Sequence, residues 1–186
     1  MTTVYKKGDA YIRIMRDDAP LNWREEGDAH IGTMVCWHRK YVLGDEQPKE
    51  SPEDYRAGLP EDRIELPIYL YEHGGITLCT SAFSCQWDSG QLGFIYTTSK
   101  RLKEMGVDAA KAEEYLRSEV EQYDHYITGN VYGFQHFKKV VCDKCGSVEE
   151  KEGDSCWGFY GFDHKESGLL EEAGITNLDE WEETHV

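Results

Sequence analysis

The sequence has no apolar run approaching the roughly 18 residues needed to span a bilayer, and its first stretch, MTTVYKKGDAYIRIMRDD, lacks the apolar core of a secretion signal. It is also short of bases: 20 Lys and Arg stand against 36 Asp and Glu, for a formal net charge of −16. A field of that sign repels nucleic acid and anionic membranes, since both are bound by Lys and Arg displacing counterions. Neither is expected as a direct ligand. Repeats, low-complexity tracts and linkers are missing. So are the signatures of common chemistry: no GxxxxGK[ST], no GxGxxG after a strand, no HExxH and no acidic set at calcium-loop spacing. WDSGQLGF (87–94) is not a GxSxG elbow, because its glycines do not flank Ser89 at the required spacing. Trp87 is expected in the core, at the entry of a strand.

What remains is enough to fold. Hydrophobic residues make up 39% of the chain and aromatics 12%, which excludes the composition of a disordered polypeptide. A length of 186 residues suits one domain with its own core. The six cysteines, at 36, 79, 85, 142, 145 and 156, lie mostly in apolar or aromatic surroundings. That placement suits reduced, buried thiols, and hence a soluble cytoplasmic protein.

The β-branched and aromatic runs YIRIM (11–15), GTMVCWH (32–38) and QLGFIYTT (91–98) read as strands, and LPIYLYEHGGITLCTS (66–81) as a hairpin about His73-Gly74-Gly75. Residues 42–62 hold three of the five prolines and many acids, so an irregular surface excursion is expected there. One long helix should cover about residues 109 to 127, capped by Asp108 and ended before Gly129. Ala112, Leu116, Val120, Tyr123 and Ile127 form its apolar stripe, and Glu113, Glu114, Glu121 and Asp124 an acidic flank broken only by Arg117. A shorter helix is expected over Ser167 to Ala173. The fold class is therefore α+β: an antiparallel sheet of about six or more strands, one long helix packed on it, and an acidic C-terminal segment over 162–186.

Cys142 and Cys145 form a CxxC knuckle, with Cys156 further on, which raises the question of a metal site. GNVYGFQHFKKVV (129–141) and DSCWGFYG (154–161) read as paired strands about a turn at Lys144 to Gly146. In that register Cys156 faces Phe134, more than about 20 Å along the ladder from the knuckle and far outside zinc bonding distance. The stretch is thus expected to be a hairpin, with no metal, cofactor or catalytic residue assigned; the alternative, a closed zinc site, needs the hairpin to collapse so that Cys156 and either His136 or His164 fold back onto the knuckle. Trp157, Phe159 and Phe162 are expected as core or sheet residues on an interior strand.

The charge is uneven. Residues 149–186 hold 12 acids and only Lys151 and Lys165, ten of the sixteen excess charges in the last fifth of the chain. An acidic surface can serve solubility alone or attract a basic partner. The blocks GTMVCWHRKYVLGD (32–45), WDSGQLGFIY (87–96), YDHYITGNVYGF (123–134) and DSCWGFYG (154–161) resemble those of a set of uncharacterised proteins of phages and other mobile elements. That resemblance covers most of residues 30–161 and implies a setting in the host cytosol. Small acidic proteins of such elements often disarm host defences, and DNA mimicry of the anti-CRISPR or antirestriction kind is one known route. The expected partner is then a basic nuclease or another CRISPR or restriction component. The candidate contact residues are Glu113, Glu114, Glu121 and Asp124, with Glu171, Glu172, Asp179, Glu180, Glu182 and Glu183. The alternatives are a small enzyme acting on a nucleotide or protein of the host, and an accessory protein with no defence role.

Overall fold

Strand alternation accounts for the first elements of the computed structural model, which describes residues 2–25 and 29–185. In β1 (Thr3–Lys7) and β2 (Ala10–Arg16), Tyr5, Ile12 and Ile14 are buried, and the two strands join antiparallel, Tyr5 opposite Ile12. Between them Gly8 turns the chain with φ 62°. After β2 the chain leaves this sheet for more than 100 residues and returns at Gly129. It divides into two compact units: Met1–Leu21 with Gly129–Val186, and an inserted unit, Asn22–Thr128.

In the inserted unit, β3 (Thr33–Cys36), β4 (Ile64–Glu72), β5 (Ile76–Cys79) and β6 (Ser89–Thr97) form an antiparallel sheet of order β3-β6-β4-β5. The hairpin at His73 to Gly75 is present, with Tyr71 opposite Thr77. The register of β4 against β6 shifts between Ile68 and Tyr69, a bulge beside Gly93. There a glycine is required, because an added Cβ would run into the Val35 carbonyl. Helix α1 (Pro52–Ala57) interrupts the expected excursion over 42–62: Pro52 starts it and the Ser51 hydroxyl caps it. Helix α2 (Ser99–Met105) is capped by Thr98 and ends on Gly106 with φ 67°.

The long helix is α3 (Ala112–Ile127), preceded by a 3-10 turn over Ala109–Lys111 that Asp108 caps. Ala112, Leu116, Val120 and Tyr123 are buried as the stripe requires, and Ile127 packs against the same core. That core also takes in Met34, Ile68, Leu78 and Ile95.

In the first unit, β7 (Val131–Val141) and β8 (Val148–Tyr160) extend the β1–β2 pair, and β9 (Glu182–His185) closes the other edge, in the order β8-β7-β2-β1-β9. Helix α4 (Leu169–Glu172) covers one face: Leu169, Leu170, Ala173 and Ile175 pack on Tyr5, Ile12, Ile14 and Phe134. It is shorter than expected, since Gly168, at φ 78°, precedes it.

The antiparallel mixture of strands and helices agrees with the sequence reading, but the strands fall into two sheets with several helices rather than one sheet under one helix. Two more placements are corrected. β8 is an edge strand, not an interior one, and Trp157 is 44% exposed, lying across Gly133 of β7, with Phe162 exposed as well. Trp87 is 94% exposed rather than in the core, because it precedes β6 in a bend-rich stretch.

Candidate functional site

The ten acidic candidates divide between the two units. On α3, Glu113, Glu114 and Glu121 are exposed, and among the described residues none of the three forms an ion pair. Glu114 and Glu121 are seven residues apart, about 10 Å along the axis. Asp124 is a correction, because its carboxylate is committed within the unit: Oδ1 accepts the Thr77 hydroxyl at 2.7 Å and the Leu78 N–H at 2.6 Å. It fastens α3 to β5 and is only half-exposed.

In the first unit, Glu171, Glu172, Asp179, Glu180, Glu182 and Glu183 are all exposed. Glu180 is paired with Lys7, whose bond, with one from Asn177, lowers its carboxyl. Glu183 lies 3.5 Å from His185 and hydrogen-bonds Tyr5, whose pKa is raised by burial and then by that carboxylate. Glu182 and Glu183 also stud the edge strand β9, where charge discourages pairing with another chain.

The cluster that sequence reading missed is buried in the inserted unit. Arg24, its side chain 2% exposed, holds Asp45 through Nε at 2.8 Å and Nη2 at 2.6 Å, Glu119 through Nη1 at 3.0 Å, and the Gly32 carbonyl at 2.7 Å. Glu119 in turn accepts the N–H groups of Ile31 (2.6 Å) and Gly32 (3.1 Å), and Asp45 that of Met34 (2.7 Å). Burial pushes the guanidinium pKa down, but Asp45 and Glu119 outweigh it and hold the group above its ordinary value. Every charge is paired and every acceptor used, so the cluster clamps α3, β3 and the loop before it and offers no free group for chemistry. The signal was readable: Glu119 comes three residues after Leu116 and four before Tyr123, an acid inside the apolar stripe.

Near β6 a groove of about 330 Å³ is lined by Trp37, His38, Glu72, Trp87, Asp88 and neighbouring residues of β4 and β6. His38 accepts the N–H groups of Lys40 and Tyr41 on Nδ1 (3.2 and 3.0 Å), which leaves Nε2 to carry the proton, 3.9 Å from Glu72. His73 lies 3.3 Å from Asp88, and the Cys85 thiol donates to the same carboxylate at 3.8 Å. A nucleophile would need its thiol on the imidazole; here it is turned to the acid.

The thiols differ from expectation, since only Cys36 is fully buried. Burial, with the Asp45 charge adding, pushes it up to about 12. Cys156 faces Phe134, as the hairpin register predicted. Cys145 is exposed, and bonds from the Ser147 hydroxyl and N–H and from Cys142 lower its thiol to about 7. Among the described residues, no group of three or more His, Cys, Asp or Glu is placed to hold a metal ion, and no helix is long and apolar enough to cross a membrane. No protein-family model matches the chain, and neither does any curated protein or solved structure.

Proposed function

We propose that this is a binding protein of a phage or other mobile element, which presents carboxylates to the basic nucleic-acid groove of a host defence nuclease or another CRISPR or restriction component. The observation that carries the reading is the trio Glu113, Glu114 and Glu121, exposed and, among the described residues, in no ion pair, on a helix fixed from behind by Glu119 and Asp124. Carboxylates on a rigid element lose little freedom on binding. The separation of Glu114 and Glu121, about 10 Å, is on the scale of the roughly 7 Å between successive phosphates along one DNA strand. Glu171, Glu172, Asp179 and Glu182, exposed on the other unit, supply a second set of carboxylates, whereas Glu180 and Glu183 are engaged by Lys7 and by His185 and Tyr5. A small enzyme acting on a host nucleotide or protein is the second reading, favoured by the His38, Glu72 and Asp88 groove with Trp87 beside it.

The test is retention of nucleic-acid-binding proteins from a bacterial extract on the immobilised protein. A retained nuclease that elutes with salt and with duplex DNA, and that a Glu113→Gln/Glu114→Gln/Glu121→Gln column fails to hold, supports the proposal. Turnover of a nucleotide by the free protein, abolished by His38→Ala, would replace it with the enzymatic reading.

A further inference from the structure

The tip of the β7–β8 hairpin is built like half of a zinc site. Cys142, Asp143, Lys144, Cys145 and Gly146 form a tight turn: the Gly146 N–H donates to the Cys142 carbonyl at 2.8 Å, and the Cys142 N–H to the Ser147 carbonyl at 2.8 Å. Gly146 takes φ 71°, a left-handed conformation that favours glycine directly after the second cysteine. The Ser147 hydroxyl oxygen lies 3.1 Å from the Cys145 sulfur, placed to donate to a thiolate there. A donor trained on a sulfur is the support a metal-bound thiolate needs.

Two thiolates are half of a closed tetrahedral site. The same chain does not complete it: Cys156 lies opposite Phe134, far down the ladder, and no third His, Cys, Asp or Glu joins the pair among the described residues. The surroundings favour a second copy. Val141 and Val148, opposite each other in the ladder beside the knuckle, are both exposed on one face, an apolar pair that a contact would cover. A chain of net charge −16 repels its own kind, yet residues 138–152 hold four lysines against four acids, so the tip is the place where two copies approach without opposing charge.

We infer that Cys142 and Cys145 of two chains together bind one zinc ion, joining the protein tip to tip as a two-fold dimer. Binding deprotonates all four thiols and releases up to four protons to solvent, with no redox change.

The experiment uses the full chain, freed of metal and kept reduced with a phosphine, in size-exclusion chromatography with light scattering while zinc is titrated. The expected result is a doubling of mass that saturates at one zinc per two chains and is reversed by EDTA. Cobalt in place of zinc should show the intense visible absorption of a tetrahedral thiolate site. Cys142→Ser and Cys145→Ser should each stay monomeric with zinc while keeping the parent's melting temperature, since the tip supports no core. Zinc bound at one per chain without a mass change overturns the inference, as does a dimer that persists in the double Ser variant. Absence of zinc binding by the reduced protein at micromolar metal overturns it too.

Discussion

Removing the Glu119 carboxylate tests whether the buried clamp holds the inserted unit together. In Glu119→Ala the N–H groups of Ile31 and Gly32 lose their acceptor, and Arg24 loses one of its two acidic partners while keeping the bidentate pair with Asp45. An unsatisfied buried donor costs about 1–3 kcal/mol, and breaking a buried ion pair from one side about 3–5 kcal/mol. These overlap, because Arg24 stays paired and the loop can relax toward water, so a loss of about 3–5 kcal/mol is expected for the whole change. That is a large part of the ~5–15 kcal/mol that holds a typical domain. Replacing Arg24 and Glu119 together by Met, which removes both ends of their ion pair but leaves Asp45 without its guanidinium, should still cost less than the sum of the two single Met changes. The assay is urea unfolding, with amide hydrogen exchange at Ile31 and Gly32 to assign the change to this unit. A loss below about 1 kcal/mol, with both amides still protected, would refute the reasoning.

Three further outcomes follow from packing and titration. Gly93→Ala should cost about 3 kcal/mol or more, measured by the same unfolding, because its Cβ meets the Val35 carbonyl, which is backbone and cannot swing aside. Trp157→Ala should cost about 2–3 kcal/mol, from roughly half of a ~200 Å² side chain buried at ~25 cal/mol per Å², and not the ~3–5 kcal/mol of a fully buried aromatic. His30 has its pKa lowered, first by burial and then by the Arg24 charge, so the folded form resists protonation. The stability it contributes is present above the ordinary value of about 6.5 and falls as pH drops through 6.5 toward the depressed folded value. Melting temperatures across pH 5 to 8 should therefore decline on the acid side for the parent and less so for His30→Gln.

Periodicity carried most of the fold. The stripe of α3, the His73 to Gly75 hairpin and the central β7–β8 pairs, Cys156 opposite Phe134 among them, were legible because burial acts directly on alternating or helical patterns, whereas two bulges shift the register toward either end, so that Val141 and not Cys142 faces Val148. The elements that escaped are those whose pattern is too short or too polar. β1 and β9, TVYKK and EETH, are brief and charged, and the sheet partner supplies their order. Helix α2 buries Leu102 alone and rests on its Thr98 and Gly106 caps. Pro52 looked like a breaker and proves to be a helix start. Trp157 misled because its strand carries large groups on both faces, a trait of an interior strand that an aromatic lying over Gly133 imitates at an edge. For the candidate site, exposure of Glu113, Glu114 and Glu121 followed from the helical wheel, whereas the capture of Asp124 by Thr77 and Leu78 depends on tertiary contact with β5. No local pattern records that contact.

The central claim is that exposed carboxylates, rather than a catalytic groove, carry the function. Its most direct test is the affinity of the nuclease retained from the bacterial extract for the parent and for the Glu113→Gln/Glu114→Gln/Glu121→Gln variant, measured over 50 to about 300 mM salt with duplex DNA as competitor. The account predicts that parent binding weakens steeply with salt and is displaced by DNA, and that the variant, folded as well as the parent, binds at least about tenfold more weakly with a flatter salt dependence. Equal affinity and equal salt slopes for the two proteins would contradict it and leave the acidic helix face as a solubilising surface.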